Sequence, residues 1–416
     1  MTNPTKLHST KLRLAALAVL SLEAILPGMV ATPAAQGQTF KVLHTFTGGV
    51  DGGTPFGQPV VDNQGDVVGT TYFGGMAGCG DYEAGCGTLW KYSSHGKFSV
   101  LHTFDSTDGD NMYAGVKLDQ DGNMFGTTYE GGSNIRGTAF EITSAGTFIT
   151  LYDFGSPSSD PRSIAGGITL DSTGNLYGTS DLGGVYDNKD CYYGCGTVWK
   201  LSSGGTLTVL HRFDWNDGAY PVYGDVKLDK QGNLYGVTNE GGSNGVGTLF
   251  EITAGGRFRV LYNFGEGSVG CTPSGGLRES AGVLYGTTQS CGSGGRGTVW
   301  QYDTGSSKYT VLHSFSGPDG GAPVGGVGCE KNEKSCGGNL FGTTANGGAH
   351  EHGTVWEIDS SGKFRTLHDF TNSEGSVALD RPFVGKNGKM YGTTRDGGNL
   401  GFGTLWELKA SKTWRR

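Results

Sequence analysis

Charge is scarce in this chain. Asp, Glu, Lys and Arg make up 17% of its 416 residues and never gather into a long run. The formal net charge is −8, which argues against nucleic acid and anionic lipid as partners. Long apolar runs are also missing: after residue 37 nothing approaches the ~20 residues of a membrane span. No segment has the length and 3.6-residue period of a substantial helix, so an all-α or α/β fold is excluded. No stretch carries the spaced carboxylates and final Glu of a calcium loop. The Asp-Gly pairs at 51–52, 108–109, 217–218 and 319–320 read as turn formers instead.

Glycine, by contrast, is abundant at 78 residues. It falls on a repeat, whose clearest copies are Gly-Asn-Leu-Tyr-Gly-Thr-Ser at 174–180 and Gly-Asn-Leu-Phe-Gly-Thr-Thr at 338–344. The core glycine recurs at 69, 126, 178, 236, 286, 342 and 392. The steps between them are 57, 52, 58, 50, 56 and 50 residues. A period of this length, repeated seven times, is the mark of a propeller or solenoid.

Each repeat holds four strand-like segments bounded by glycine-rich turns, and four antiparallel strands make one propeller blade. In the fourth repeat they are 224–229, 233–238, 247–252 and 257–264. The ends of the chain are out of phase with the blades. Residues 40–46 form a fourth-strand segment with no blade of its own, and the last repeat stops after its third strand at 403–408. Pairing the two closes a ring and removes two open sheet edges. The expectation is an all-β, closed seven-bladed propeller over 38–408, its last blade completed by the N-terminal strand.

Residues 1–37 read as a secretory signal. Lys6, Lys11 and Arg13 precede an apolar stretch from Leu14 to Leu26, and small residues follow at Ala31, Ala34 and Ala35. Without this segment the balance is 28 basic residues against 38 acidic ones. Eight cysteines in an exported chain imply disulfides. Their placement suggests local pairs, Cys79–Cys86, Cys191–Cys195, Cys271–Cys291 and Cys329–Cys336. A metal site at Cys191 and Cys195 lacks the second ligand pair that structural zinc needs, so no metal and no cofactor are expected.

The repeats align internally. The third strand carries Trp90, Phe140, Trp199, Phe250, Trp300, Trp356 and Trp406 at one position, which reads as blade packing. The fourth strand carries His44, His102, Tyr152, His211, Tyr262, His313 and His368 at one position. Tyrosine replaces histidine twice there, and outer strands of different blades lie far apart, so these side chains read as scaffold.

The linked series Gly-Asn-Leu-Tyr-Gly-Thr-Thr, Gly-Gly, Gly-Thr-Val-Trp and Val-Leu-His-x-Phe resembles the GloVer tandem repeat of exported bacterial proteins. The resemblance covers essentially all of 38–408. It implies a β-propeller and no settled activity, so no catalytic residue is carried over from it. Many such proteins end in an apolar sorting anchor. The tail here, 409–416, has none, so free secretion or periplasmic residence of a monomer is expected.

The turns between strands one and two, and three and four, are short. The loops after strands two and four are long and variable, and they emerge together on the other face. A rigid scaffold with variable loops on one face is where binding is expected. Tyr186, Tyr192, Tyr193, Trp215, Tyr220 and Tyr223 fall in neighbouring loops there, with rings suited to stacking on sugars or aromatic groups. Their alternative role is to pack among themselves. His350 and His352 flank Glu351 in blade six. With Tyr72, Tyr129, Arg136, Arg296 and Arg395, these two histidines are the candidate acids, bases and cations of an enzyme. Three functions follow: an exported propeller that binds a glycan or a protein, a lyase-type enzyme acting on polysaccharide, and a structural protein of the cell envelope. Fold alone does not choose among them.

Overall fold

The computed structural model describes residues 38–75, 79, 85–155, 161–186, 189–329, 338–385 and 388–409. The expected signal segment 1–37, the tail beyond Lys409, and Cys336 lie outside the described residues.

Seven four-stranded antiparallel sheets follow one another along the chain, each sheet a blade. Blade four is typical, with strands Lys227–Leu228, Leu234–Thr238, Thr248–Ile252 and Phe258–Asn263. The chain is all-β: among the described residues there is no α-helix, only one short 3-10 turn at Gly267–Val269. In blade seven, Thr39–Thr45 pairs antiparallel with Thr404–Lys409, from Thr39 opposite Lys409 to Thr45 opposite Thr404. The innermost strands are shorter than the sequence pattern suggests. In blade four only Lys227 and Leu228 are paired, because the residues before them turn into the central channel. Blade five is the exception, with an innermost strand of ten residues, Cys271–Ser280.

The repeated motif is explained by what each residue touches. The glycine of Gly-Thr-Ser in blade three, Gly178, stands opposite Trp199 in the ladder. A Cβ there would lie 2.4 Å from the indole, so only glycine lets the ring lie flat on the neighbouring strand. The same contact occurs in every blade, with Phe140 and Phe250 replacing tryptophan in blades two and four. The threonine that closes the motif faces the threonine that opens the third strand. In blade four the Thr238 and Thr248 hydroxyls are 2.9 Å apart, and the Thr248 N–H donates to Thr238 Oγ1 at 3.0 Å. Both residues are fully buried, and this hydroxyl pair recurs in all seven blades. Pairing satisfies polar atoms that would otherwise be costly to bury. The motif's asparagine works at the opposite face. Asn233 Oδ1 accepts from the Ala254 N–H at 3.0 Å, tying the turn between strands one and two to that between strands three and four.

The outer rim holds the repeated histidines. A bulge in the fourth strand places His211 opposite Val198 and Val209 opposite Trp199, and all seven blades share this irregularity. Each histidine so turned contacts a carboxylate of the connector that follows it. Nε2–oxygen distances are 2.9 Å for His44–Asp51, 2.8 Å for His102–Asp108, 2.9 Å for His211–Asp217, 2.8 Å for His313–Asp319 and 3.3 Å for His368–Glu374. The same imidazoles stack on an aromatic ring of the next blade. His211 lies 3.6 Å from Phe258, and His313 lies 3.6 Å from Phe364. Where tyrosine replaces histidine, Tyr262 stacks on Tyr309 at 4.2 Å. The N-terminal strand takes part on both sides, with Phe40 on His368 and His44 on Phe98, each at 3.8 Å. The repeated Asp-Gly thus does more than turn the chain: its aspartate holds the histidine, and its glycine covers the threonine pair. At Gly218, φ is +140° and a Cβ would lie 2.6 Å from Thr238 Oγ1.

Cys79–Cys86, Cys191–Cys195 and Cys271–Cys291 are disulfides. Cys329 is also disulfide-bonded.

Candidate functional site

The propeller's channel is plugged by charge. Asp225 of blade four accepts from Lys117 Nζ of blade two at 2.8 Å and from a terminal nitrogen of Arg381 of blade seven at 3.2 Å. Burial alone would raise the Asp225 pKa, but Arg381 and Lys117 hold it far below the usual carboxylate range. Asp380 beside it accepts from the backbone N–H of Gln58 in blade one, and burial pushes its pKa up to about 6. What is left is a cavity of about 30 Å³, room for ordered water but far below the ~300 Å³ of a small-molecule site.

The mouth of the channel on the long-loop face carries a group of aromatic rings, of which Tyr113 and Tyr223 also line this cavity. Two sets of equivalent positions ring the mouth. The residue after the strand-two motif is Tyr72, Tyr129, Asp181, Asn239, Gln289, Ala345 and Arg395 in blades one to seven. Four residues before the innermost-strand partner of the residue preceding the core glycine stand Phe56, Tyr113, Ala165, Tyr223, Ser274, Val324 and Leu379. Blades one, two and four thus supply aromatic rings, and the other blades supply none at these positions. Tyr113 is the hub of the aromatic group. Its ring centre lies 5.0 Å from Phe56, 4.8 Å from Tyr72, 4.9 Å from Tyr129 and 5.9 Å from Tyr223. Tyr113 donates its hydroxyl to Tyr72 at 3.4 Å. The guanidinium of Arg395 stands 6.0 Å above Phe56 and is held by Asp396.

Burial is the largest cause of raised pKa values at Tyr72, Tyr129 and Tyr223. Burial is the main cause of the raised pKa of Tyr72, and Glu130 and Asp110 add to it. Tyr129 is pushed up to about 12 by burial, then by Asp181. Tyr223 is raised by burial, with Tyr113 and Asp181 contributing. Two acids of this face are themselves perturbed. Asp110 is raised to about 6 by burial and Glu130, and Asp181 to about 6 by burial and Glu240.

The structure divides the residues singled out from the sequence. Tyr72, Tyr129, Arg395 and Tyr223 meet at the mouth. Arg136 and Arg296 do not: Arg136 lies against Gly155, and Arg296 lies against Gly317 and Gly321, both over connectors between blades. His350 and His352 sit on the turn that joins strands two and three of blade six, where Glu351 has φ +61°. Burial chiefly lowers the pKa of His368 on the outer rim, and His350 adds a small contribution in the same direction. The six loop aromatics do not form one cluster. Trp215 and Tyr220 are half-buried against the core around Cys191 and Cys195, and the Tyr220 hydroxyl donates to the Asp190 carbonyl at 2.9 Å. Their backbone sequence resembles an exposed loop, but the disulfide beneath gives the rings something to pack on. Tyr192 and Tyr193 are 68% and 58% exposed, in edge-to-face contact at 4.8 Å. Tyr186 lies under the Arg162 guanidinium at 5.6 Å. Sequence reasoning missed Phe56 and Tyr113. The internal alignment carries their signal, an aromatic at one position in only three of seven blades.

Seven four-stranded blades with an asymmetric set of aromatic rings at one mouth of the channel define a seven-bladed β-propeller. More specifically, the chain belongs to the Gloeobacter/Verrucomicrobia repeat family, whose model matches residues 27–189, 81–278 and 255–415. No curated protein sequence matches it. Among solved structures it is similar to oligogalacturonate lyase in complex with manganese, at 14% identity and TM-score 0.58, covering 92% of this chain and 96% of that one. Oligogalacturonate lyase from Vibrio parahaemolyticus gives 10% identity and TM-score 0.57, covering 91% and 98%. The extracellular domain of a proposed hybrid two component system from B. thetaiotaomicron gives 13% identity and TM-score 0.55, covering 89% of this chain and 41% of that one. At these identities the likeness is one of fold. Among the described residues no group of three or more His, Cys, Asp or Glu is placed to hold a metal ion.

Proposed function

We propose that this protein is an exported binding propeller, secreted or periplasmic, that holds a glycan on its long-loop face at the mouth of the channel. The observation that carries this reading is the continuous group of rings around Tyr113, with Tyr223 42% exposed at its edge. Aromatic faces beside polar groups suit sugar rings, whose C–H faces stack on them. Export is supported by the disulfides and by the basic and apolar pattern of residues 1–37. Extracellular propellers among the similar structures are consistent with it.

The test is affinity electrophoresis of the mature protein in gels cast with a panel of polysaccharides, then stained for polymer clearing. Retardation that Tyr223→Ala abolishes and Tyr192→Ala leaves intact supports the mouth. Retardation unchanged in Tyr223→Ala moves the site elsewhere. Clearing of the polymer makes the protein an enzyme. No retardation by any polymer rejects the glycan reading.

A further inference from the structure

Blade seven brings a charge pair to the mouth. Arg395 is the only cation among the seven residues that follow the strand-two motif, and an acid, Asp396, comes directly after it. The backbone of both is fixed. The Arg395 N–H donates to the Val377 carbonyl at 3.0 Å, and Ser376 and Asp396 exchange N–H to carbonyl bonds at 2.8 and 3.1 Å. The guanidinium stands 6.0 Å above the Phe56 ring. Its Nε and Nη2 both donate to one carboxylate oxygen, Asp396 Oδ2. Arg395 Nη1 and Asp396 Oδ1 are left without a hydrogen bond among the described residues. The two side chains are 36% and 39% exposed, so a ligand lying across the mouth meets them without entering the small cavity below. An ion pair this open adds little to stability.

Resting on the glycan reading above, we infer that Arg395 and Asp396 make the mouth selective for uncharged glycans by holding two adjacent hydroxyl groups of one sugar. A guanidinium only donates and a carboxylate only accepts. Hydroxyls do both, so one of the two accepts from Arg395 Nη1 while its neighbour donates to Asp396 Oδ1. A uronate carboxylate or a sulfate group supplies acceptors alone. It leaves Oδ1 without a donor and sets a like charge beside Asp396, which already neutralises the guanidinium. The aromatic surface continues from the pair. Phe56 beneath Arg395 and the partly exposed Tyr223 both contact the Tyr113 ring, at 5.0 and 5.9 Å. A chain held at the pair therefore has rings beside it on which its next sugars stack.

The experiment is titration calorimetry of the wild-type protein with polygalacturonate, polymannuronate and polyglucuronate, each beside its carboxyl-reduced product. Reduction puts a neutral hydroxymethyl group in place of the carboxylate and keeps the adjacent ring hydroxyls. The expected result is that at least one reduced polymer binds, roughly tenfold or more tightly than its acidic parent, with an affinity that added salt does not change. This comparison needs no variant. Arg395→Met should weaken binding of the reduced polymer about tenfold. Asp396→Asn should narrow the preference by admitting the acidic parent, a gain that a folding defect would not produce. Equal or tighter binding of the acidic parents, or binding of the reduced polymer unchanged in Arg395→Met, overturns the inference. Binding of none of these polymers overturns it too, and retardation by another polysaccharide that Tyr223→Ala abolishes then still supports the mouth. Binding unaffected by Tyr223→Ala instead rejects the mouth itself.

Discussion

Removing Asp225 exposes what the channel plug is for. Its carboxylate is the shared acceptor of Lys117 and Arg381, side chains from blades two and seven that meet across the axis. Asp225→Ala leaves the buried Arg381 and the partly exposed Lys117 facing one another, with Asp380 the nearby carboxylate that remains. Breaking a buried ion pair by deleting one partner costs about 3–5 kcal/mol. A propeller of roughly 370 residues unfolds with an entropy of about 0.8 kcal/mol per kelvin, at ~2.1 cal/mol/K per residue. A loss near 4 kcal/mol is therefore a fall in Tm of about 5 °C. Asp225→Asn should fall between, because the amide oxygen still accepts one hydrogen bond. The triple variant Lys117→Met, Asp225→Leu, Arg381→Met should recover most of the loss, since apolar replacement of a buried charge group is often neutral or better. Calorimetry and urea titration of the four proteins supply the numbers. A loss under about 1 kcal/mol in Asp225→Ala, or no recovery in the triple variant, refutes the argument.

Asp380 gives a pH-dependent counterpart. Burial raises its pKa to about 6 in the folded protein, against ~4 for a free aspartate, so the folded state keeps a proton that the unfolded chain has released. Ionisation therefore weakens the fold as pH rises from about 4 through about 6. Asp380→Asn should gain about 1–3 kcal/mol relative to wild type over that window, a difference in which the rim histidines cancel; a flat difference contradicts it. Gly178→Ala drives a Cβ to 2.4 Å from the fully buried Trp199 and should cost about 1–3 kcal/mol by overpacking, read as a lower Tm. Replacing Cys271 and Cys291 by serine opens a bridge across a sequence separation of 20 and should cost about 3 kcal/mol, measured by urea midpoint against the wild type under oxidising conditions.

The sequence by itself determined whatever repeats. Strand, turn and motif recur at near-constant spacing, so the blade number and the all-β class are legible without coordinates. The partners involved lie within one repeat or one repeat away: Gly178 with Trp199 across a ladder, His211 with Phe258 on the next blade. The rim histidines could be read as scaffold for the same reason, although their aspartate partners were visible only as turn formers. What departs from the repeat was decided by tertiary structure. Trp215 and Tyr223 lie eight positions apart in sequence, yet one packs on a disulfide-braced core and the other reaches the mouth. Asp225 and Arg381 are 156 residues apart and meet only because a closed ring brings every innermost strand to one axis. Local spacing carries no information about which single residues face that axis together, and there both the plug and the aromatic mouth are assembled.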